Sequence, residues 1–331
     1  MESLYITDNG LVLKRRCGRI VAKKSGKSIC EYRINRLRRL VIFGNNQVTT
    51  DLLSYLAKHG IDVSYLTARG RLKFHLVSPH SRNIFLRIAQ FENFKDESFC
   101  LRLAQAIVRT KIRNQRAILM RYKPYREPGT LDRSAVILDE YARRSLEANS
   151  LDQLRGFEGN ATKKYFKTYG SLIKSDFTFT GRKYHPPPDP VNALLSFGYT
   201  LVTNELVGLL EAHGFDPFIG FFHKLRYGRV SLATDLVEQF RAPVIDRLVL
   251  YLINKKVMSP RDFQRTDNGR IQMTRSALKT YLANYEQFVS SHFKDKHLSR
   301  RMNFRKIFKQ QVRMLEGLLL HNAEYTPYLF Y

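Results

Sequence analysis

The sequence predicts a two-domain α+β protein, with a β-sandwich-like domain at residues 1–77 and a larger all-α domain at residues 83–331. Short β-branched or alternating runs, separated by turn signals, fill the first region. Beyond a linker at residues 78–82, the period of the apolar residues changes from two to 3.6. A chain of 331 residues also exceeds what one core usually organises. A doubly wound sheet is disfavoured, because one helical segment alone interrupts the predicted strands.

The elements follow this division along the chain. The predicted strands of the first domain include SLYITD, LVLKRR, GRIVAKK, CEYRI and RRLVIFG, followed by the helix TDLLSYLAKHG and two further strands. In the second domain, Ser150 and Gln153 form a capping box at the start of one helix. Asp189 followed by Pro190 predicts another helix start, with Asp as N-cap and Pro at the first helical position. Pro243 is expected to limit or kink a later helix.

The net charge of +27 is the strongest bulk signal, with 56 Lys and Arg against 29 Asp and Glu. Such a charge attracts acidic polymers and favours a nucleic-acid partner. A ribosomal or structural RNA-binding protein is disfavoured, because the basic residues are spread through patterned elements and not through tails. Within the basic run at residues 109–126, each residue alone predicts a solvated helix face, whereas the whole run suits a phosphate backbone.

The cysteines and the N-terminal sequence indicate the cellular compartment. Three cysteines without a CxxC pair predict neither a disulfide framework nor a zinc site, and they fit a reducing cytoplasm. The start MESLYITDNG has no apolar segment of a signal peptide, and no apolar run is expected to reach bilayer length. We therefore expect a cytoplasmic protein without membrane binding.

Acidic residues and one histidine form the candidate site. Asp235 and Glu238 are three residues apart and share one face of a helix, and His223 lies upstream in GFFHKLRYGR. Glu158 falls in the middle of an apolar helical stripe, where an unpaired carboxylate is costly. Carboxylates with one imidazole suit Mg²⁺ or Mn²⁺. The alternative for Glu158 alone is a pair with one of the many arginines.

Other residues near these positions have simpler interpretations or support the site. His185 and His213 compete as metal ligands, but a structural role is favoured for each. Gly156 and Gly159 lower the helix propensity beside the acid at position 158. Their presence predicts the close approach of another backbone, a ligand or a nucleic acid.

Four motifs carry a resemblance to a known family: GFEGNATKKYF, PPPDPVNALLSFGYTLV, GFFHKLRYGR and SLATDLVEQFRAPVIDRLV. In this order and spacing, over residues 156–250, they resemble the CRISPR-associated adaptation integrases of the Cas1 endonuclease family. The resemblance implies that Glu158, His223 and Glu238 are metal ligands and that Asp235 has a supporting catalytic role.

The resemblance also implies a metal-dependent integrase and endonuclease that acts on double-stranded and branched DNA. With the partner protein Cas2, and as a homodimer involving its N-terminal domains, it would join 3′-OH ends of captured fragments to the CRISPR repeat by transesterification. Four basic residues flank the ligands and are predicted to contact phosphates, with a surface charge as the alternative for each: Lys224, Arg226, Arg229 and Arg241. The alternative function is a non-catalytic architectural DNA-binding protein.

Overall fold

A computed structural model describes residues 3–68, 70–76, 83–123, 129–174, 176–183, 186–266, 269–294 and 301–330. The chain divides into two compact units, Met1–Arg82 and Asn83–Tyr331. The predicted linker at 78–82 lies outside the described residues. The first unit is rich in strands and the second is mostly helical, which confirms the predicted α+β class.

The described residues of the first unit form two four-stranded sheets and one α-helix. Its elements are β1 (Ser3–Ile6), β2 (Val12–Arg16), β3 (Arg19–Lys24), β4 (Lys27–Arg33), β5 (Arg39–Phe43), β6 (Gln47–Val48), α1 (Thr50–Lys58), β7 (Asp62–Leu66) and β8 (Leu72–Leu76). The sheet orders are β1-β5-β7-β8 and β4-β3-β2-β6. Strands β1, β5 and β7 are parallel, and β8 pairs antiparallel with β7. Buried residues of both sheets and of α1 form one apolar core, among them Leu13, Ile42 and Leu52.

The second unit is built from nine helices in its described part. They are α2 (Ile84–Lys95), α3 (Glu97–Tyr122), α4 (Thr130–Arg144), α5 (Leu151–Gly170), α6 (Pro190–His213), α7 (Ser231–Phe240), α8 (Arg247–Asn254), α9 (Arg275–Ser290) and α10 (Phe304–His321). Two small hairpins join them, β9 (Phe263–Arg265) with β10 (Ile271–Met273), and β11 (Phe293–Lys294) with β12 (Arg301–Met302). Helix α3 packs against α4, α5 and α7, and α6 packs against α7 and α10. The long helix α3 therefore lies beside both helices that carry the predicted acids.

Both predicted helix starts are confirmed. Ser150 caps α5, and its Oγ accepts a hydrogen bond of 3.2 Å from the backbone N–H of Gln153. Asp189 caps α6 and accepts a bond of 2.8 Å from the N–H of Asn192, with Pro190 as the first helical residue. These caps satisfy N–H groups that have no partner within the helix, so they fix where each helix begins.

Helices α7 and α8 are joined by a π-helical turn at Arg241–Asp246, so the chain runs on without a loop. Pro243 lies inside this turn, where the sequence predicted a limit or a kink. Proline lacks a backbone N–H and disrupts the regular α-helical bonding, and the wider π turn accommodates it. We call the continuous stretch of residues 231–254 the α7–α8 rod.

Helix α6 is long and apolar enough to cross a membrane, contrary to the expectation that no apolar run reaches bilayer length. However, 72% of its most apolar stretch is buried inside the protein. Leu194, Val202, Leu206 and Leu210 are fully buried. The length and composition of α6 therefore reflect a central core helix.

The segment after α10, at residues 322–330, packs along α3 and α7. Asn114 Nδ2 donates to the carbonyl oxygens of Gln239, at 2.8 Å, and of Tyr328, at 2.9 Å. In return, the N–H of Tyr328 donates to Gln239 Oε1 at 2.5 Å, and the N–H of Phe330 donates to Asn114 Oδ1 at 2.8 Å. This segment, which has no regular secondary structure, thus provides partners for buried polar groups on two core helices.

Candidate active site

Three helices and one loop of the second unit bring all four predicted site residues together. His223 Nδ1 lies 2.6 Å from Asp235 Oδ1, and His223 Nε2 lies 3.8 Å from Glu238 Oε1. The Lys111 ammonium on α3 forms ion pairs with Glu158 Oε1 on α5 and, at 2.6 Å, with Glu238 Oε2 on α7. We call these five residues and Arg241, which pairs with Glu238, the site cluster.

The loop that carries His223 is held against α7 by the buried carboxylate of Asp235. Backbone N–H groups of Phe221 and Phe222 donate to Asp235 Oδ2 at 2.6 and 3.0 Å, and that of His223 donates to Oδ1 at 3.0 Å. A Cβ at Gly220 would lie 2.7 Å from Asp235 Oδ2. Only glycine therefore lets the loop backbone approach the carboxylate closely enough for these bonds.

Asp235 also determines which nitrogen of His223 is available. Its carboxylate already accepts three backbone N–H groups, so it acts as an acceptor and the Nδ1 of His223 donates to it. The imidazole then carries its lone pair on Nε2, which faces Glu238. This arrangement, in which a carboxylate orients a histidine for a metal, suits the supporting role predicted for Asp235.

Glu238 is a buried, ionised carboxylate between two cations. Its side chain is 3% exposed, Arg241 Nη2 lies 3.2 Å from Oε1, and Lys111 Nζ lies 2.6 Å from Oε2. Burial alone raises the pKa of this carboxyl, but Arg241 and Lys111 outweigh burial and hold that pKa well below its usual range. Glu238 is therefore ionised, and an ionised carboxylate can bind a cation.

Glu158 extends from α5 toward the same ammonium. Besides Lys111, its Oε1 accepts a hydrogen bond of 2.9 Å from Thr162 Oγ1. The cation beside Glu158 is thus a lysine and not one of the arginines considered as the alternative. Arg155, on the same helix, donates a hydrogen bond of 2.6 Å to the carbonyl oxygen of Phe222 and so connects α5 to the loop that carries His223.

The two glycines beside Glu158 face open space. Apart from its chain neighbours and the backbone of its own helix, a Cβ added at Gly156 or Gly159 would meet no described atom within 4 Å. Among the possibilities predicted from the sequence, close approach by another part of the described chain is therefore wrong. A ligand or a nucleic acid on this side of α5 stays as the prediction.

Lys111 is the site residue that the sequence analysis missed. It was placed in a basic run whose members were each expected on a solvated face, yet it is 4% exposed. Its neighbours on the buried face of α3 include Ala104, Ile107, Val108, Ile112, Gln115 and Ile118. The 3.6-residue spacing of these residues places a lysine inside an apolar stripe. The same reasoning that singled out Glu158 would have identified it.

The four predicted DNA-contacting residues divide into two groups. Lys224 and Arg226 are exposed in the loop after His223, and Arg229 is half-buried. Arg241 instead points into the site cluster, where it pairs with Glu238, so a free surface charge is wrong for this residue. For the three loop residues, contact with phosphates stays a prediction.

Of the two competing histidines, His213 pairs with Glu316 of α10 through Nδ1 at 2.9 Å, in a structural contact. His185 lies outside the described residues.

The residues present fit a hard divalent cation. Glu158 and Glu238 supply oxygen and His223 supplies nitrogen, a donor set that suits Mg²⁺ or Mn²⁺. In the part of the chain that is described, no three His, Cys, Asp or Glu side chains enclose a metal as they stand. Both glutamates instead point at the ammonium of Lys111. Glu238 Oε2 is buried against the Lys111 ammonium at 2.6 Å, so a positive charge already lies at the oxygen that would bind a metal.

Comparison of the sequence with protein families gives one match over most of the chain. The model described as CRISPR associated protein Cas1 matches residues 4–287. A relative, the CRISPR-associated endonuclease Cas1 2 of Rhodospirillum rubrum, is 35% identical over 303 residues, which cover 87% of this chain and 86% of that protein.

Two solved structures have a similar fold. A casposase bound to an integration product gives a TM-score of 0.85 at 22% identity, and the match covers 98% of this chain and 92% of that one. A chain of a Cas6-RT-Cas1–Cas2 complex gives a TM-score of 0.81 at 23% identity, and the match covers 99% of this chain and 36% of that one. At these identities the likeness is one of fold.

Proposed function

Because the chain belongs to the Cas1 family of CRISPR-associated proteins, as its motifs predicted, we propose that it is a metal-dependent DNA endonuclease and integrase of CRISPR adaptation. It joins the 3′-OH ends of captured DNA fragments to the CRISPR repeat by transesterification. The observation that carries this proposal is the meeting of Glu158, His223 and Glu238 in one cluster, with both glutamates directed at a single positive charge.

The reaction sets physical requirements that a metal held by this cluster would help to meet. Transesterification at phosphorus needs an attacking hydroxyl in line, neutralised phosphoryl oxygens and a stabilised leaving oxygen. A bound Mg²⁺ or Mn²⁺ supplies this charge stabilisation. No covalent nucleophile from the protein is needed. Water in place of the 3′-hydroxyl gives plain cleavage, so nuclease activity on branched DNA comes from the same residues.

Each residue of the cluster has a distinct task in this proposal. Asp235 keeps the proton on Nδ1 of His223, which leaves Nε2 as a ligand atom. Arg241 holds Oε1 of Glu238 and fixes the carboxylate. Glu158 and Glu238 come from two helices that pack against the same α3, so the positions of the ligands depend on rigid elements.

DNA approaches the site cluster from the side formed by α5 and by the loop that carries His223. Lys224 and Arg226 are exposed on that loop, next to His223. Gly156 and Gly159 leave the α5 surface without side chains where a backbone can come close. The net charge of +27 supports binding of double-stranded and branched DNA through its phosphates.

The proposed partners are inferred from the family and from the solved structures of similar fold. The structure of a Cas6-RT-Cas1–Cas2 complex supports Cas2 as a partner, and the casposase bound to an integration product supports DNA. A homodimer involving the N-terminal domains and a cytoplasmic location stay predictions.

The test is a joining assay with a labelled 3′-OH duplex and a repeat-bearing plasmid, in the presence of Cas2 and Mn²⁺ or Mg²⁺. We expect Glu158→Ala, His223→Ala and Glu238→Ala each to lower the joining rate about 100-fold or more, because each removes a group that stabilises the transition state. Glu147→Ala is the matched control, since Glu147 is an exposed acid on the surface near the end of α4. It should join at the wild-type rate.

DNA retention measured on the same variants separates catalysis from binding. Retained DNA binding with lost joining agrees with the proposal and excludes the architectural protein. If all three variants join DNA as the wild type does, the site assignment is wrong.

A further inference from the structure

Lys111 supports an inference that rests on the proposed metal site and extends it. Its side chain is 5% exposed, and its ammonium lies between Glu158 Oε1 and Glu238 Oε2, the two carboxylates proposed as metal ligands. We propose that Lys111 is an exchangeable cation of the protein itself. It holds the two carboxylates together while no metal is bound, and it leaves them when a divalent cation binds.

The position of Lys111 explains why a cation is required there. Two carboxylates brought together from separate helices repel each other, and a positive charge between them removes this repulsion. Glu238 is 3% exposed, so water screens its charge poorly. The ammonium of Lys111 reaches both carboxylates from the buried face of α3 and neutralises this repulsion.

The ammonium and a divalent cation exclude each other. A divalent cation binds carboxylate oxygens at about 2.0–2.6 Å, and it would then lie within a few ångströms of the Lys111 nitrogen on the same oxygens. Two positive charges at that separation repel strongly in a site with little water. The Glu158 side of the cluster is 20% exposed and offers the more open path for the exchange.

The exchange couples metal binding to DNA. An ammonium displaced from the carboxylates needs another anion, and a DNA phosphate at the site provides one. Metal and DNA then each strengthen the binding of the other, because Lys111 has to be displaced only once for both to bind. In the absence of DNA, Lys111 lowers the affinity for the metal.

The first test measures Mn²⁺ affinity without DNA, by calorimetry or by the spin resonance of free Mn²⁺. Lys111→Met keeps the length of the side chain and removes its charge. We expect it to bind Mn²⁺ about tenfold more tightly than the wild type, since a nearby repelling charge is gone. Lys255→Met, at an exposed lysine after α8, is the matched control and should bind as the wild type does. Equal or weaker Mn²⁺ binding by Lys111→Met would show the inference to be wrong.

A second test uses the wild-type protein and so does not depend on the folding of a variant. Reductive methylation of lysines is followed by mass spectrometry with and without Mn²⁺. Lys111 should be protected without the metal and labelled with it, and equal labelling in both states contradicts the exchange.

The two proposals fail in distinguishable ways. If the wild type and Glu158→Ala bind Mn²⁺ equally, the proposed metal site is wrong and the inference about Lys111 fails with it. If binding depends on Glu158 but Lys111→Met gains no affinity, only the exchange is wrong.

Discussion

Two buried carboxylates on the α7–α8 rod, Glu238 and Asp246, have opposite surroundings. Glu238 lies between the cations of Lys111 and Arg241. Asp246 is 1% exposed and accepts hydrogen bonds from the hydroxyls of Tyr165, at 2.8 Å, and Tyr199, at 2.5 Å. Burial raises the pKa of both carboxyls. At Glu238 the cations in direct contact reverse this effect. At Asp246 the two hydroxyls, with Arg182 and Arg241, reduce it only in part, and the pKa stays raised to about 6.

A direct ion pair with a cation, more than burial, therefore decides what these buried acids can do. Glu238 is held ionised and belongs to the site cluster. Asp246 instead ties helices together, because Tyr165 belongs to α5 and Tyr199 belongs to α6. Tyr165 lies two turns after Glu158 on the same face of α5. The Asp246 contacts therefore help to set where Glu158 stands relative to Glu238.

The largest expected effect comes from removing the charge of Glu238. Glu238→Gln leaves Lys111 and Arg241 with less negative charge, and breaking a buried ion pair on one side costs about 3 kcal/mol or more. We expect this loss in the free energy of unfolding, measured by urea denaturation at pH 7.5. Glu147→Gln, at an exposed acid, should stay within about 0.5 kcal/mol of the wild type. A loss below about 1 kcal/mol for Glu238→Gln would mean that the ion pairs of Glu238 contribute less to the free energy of unfolding than proposed.

A slightly smaller and pH-dependent effect is expected for Asp246→Asn. A carboxyl with a pKa of about 6 in the folded state and 3.8 in its ordinary state favours folding below pH 3.8. It loses that contribution as the pH rises through 6. This difference between the two pKa values corresponds to about 3 kcal/mol. Asparagine does not titrate, so the stability of the variant relative to the wild type should rise by up to that amount between pH 4 and pH 7.

Urea denaturation of both proteins at several pH values between 4 and 7 measures this difference. If the stabilities of the wild type and Asp246→Asn change with pH in parallel, the pKa of Asp246 is not raised. For Glu238→Gln the sign is opposite. The lowered pKa of Glu238 stabilises the wild type above the ordinary value of 4.5, and this contribution disappears on acidification below it.

The smallest expected effect concerns a single hydroxyl of the Asp246 contacts. Tyr199→Phe removes the donor to Asp246 Oδ1 and leaves a buried oxygen with one partner fewer. We expect a loss of about 1–2 kcal/mol in unfolding free energy at pH 7 and a further rise in the pKa of Asp246. Tyr251→Phe, at an exposed tyrosine of α8, should change stability by less than about 0.5 kcal/mol. Equal stabilities of the two variants would argue against a role for the Tyr199 hydroxyl.

Local signals in the sequence were enough for much of the fold and part of the site. The caps at Ser150 and Asp189 depend on neighbouring residues, and both were predicted. Glu158 was identified because a carboxylate in an apolar stripe needs a partner. Its partner Lys111 was missed because the basic run around it was interpreted as one surface, although the same stripe argument applies to it.

The remaining features depend on contacts between distant segments. The need for glycine at position 220 arises only when the loop meets Asp235 on α7. Arg241 is the first residue of the π turn at Arg241–Asp246 and pairs with Glu238, where the sequence showed no more than a proline. Neither spacing nor composition describes how such segments approach each other.

The segment at residues 322–330 makes the shape of the site cluster depend on chain that has no regular secondary structure. Asn114 lies one turn from Lys111 on α3, and Gln239 is the residue next to Glu238. Both are fully buried, and both bond to this segment. Local unfolding generally begins in such segments, well before helices separate. Detachment of these few residues would thus expose two amides and loosen both sides of the ion pair between Lys111 and Glu238, while the fold as a whole stays intact.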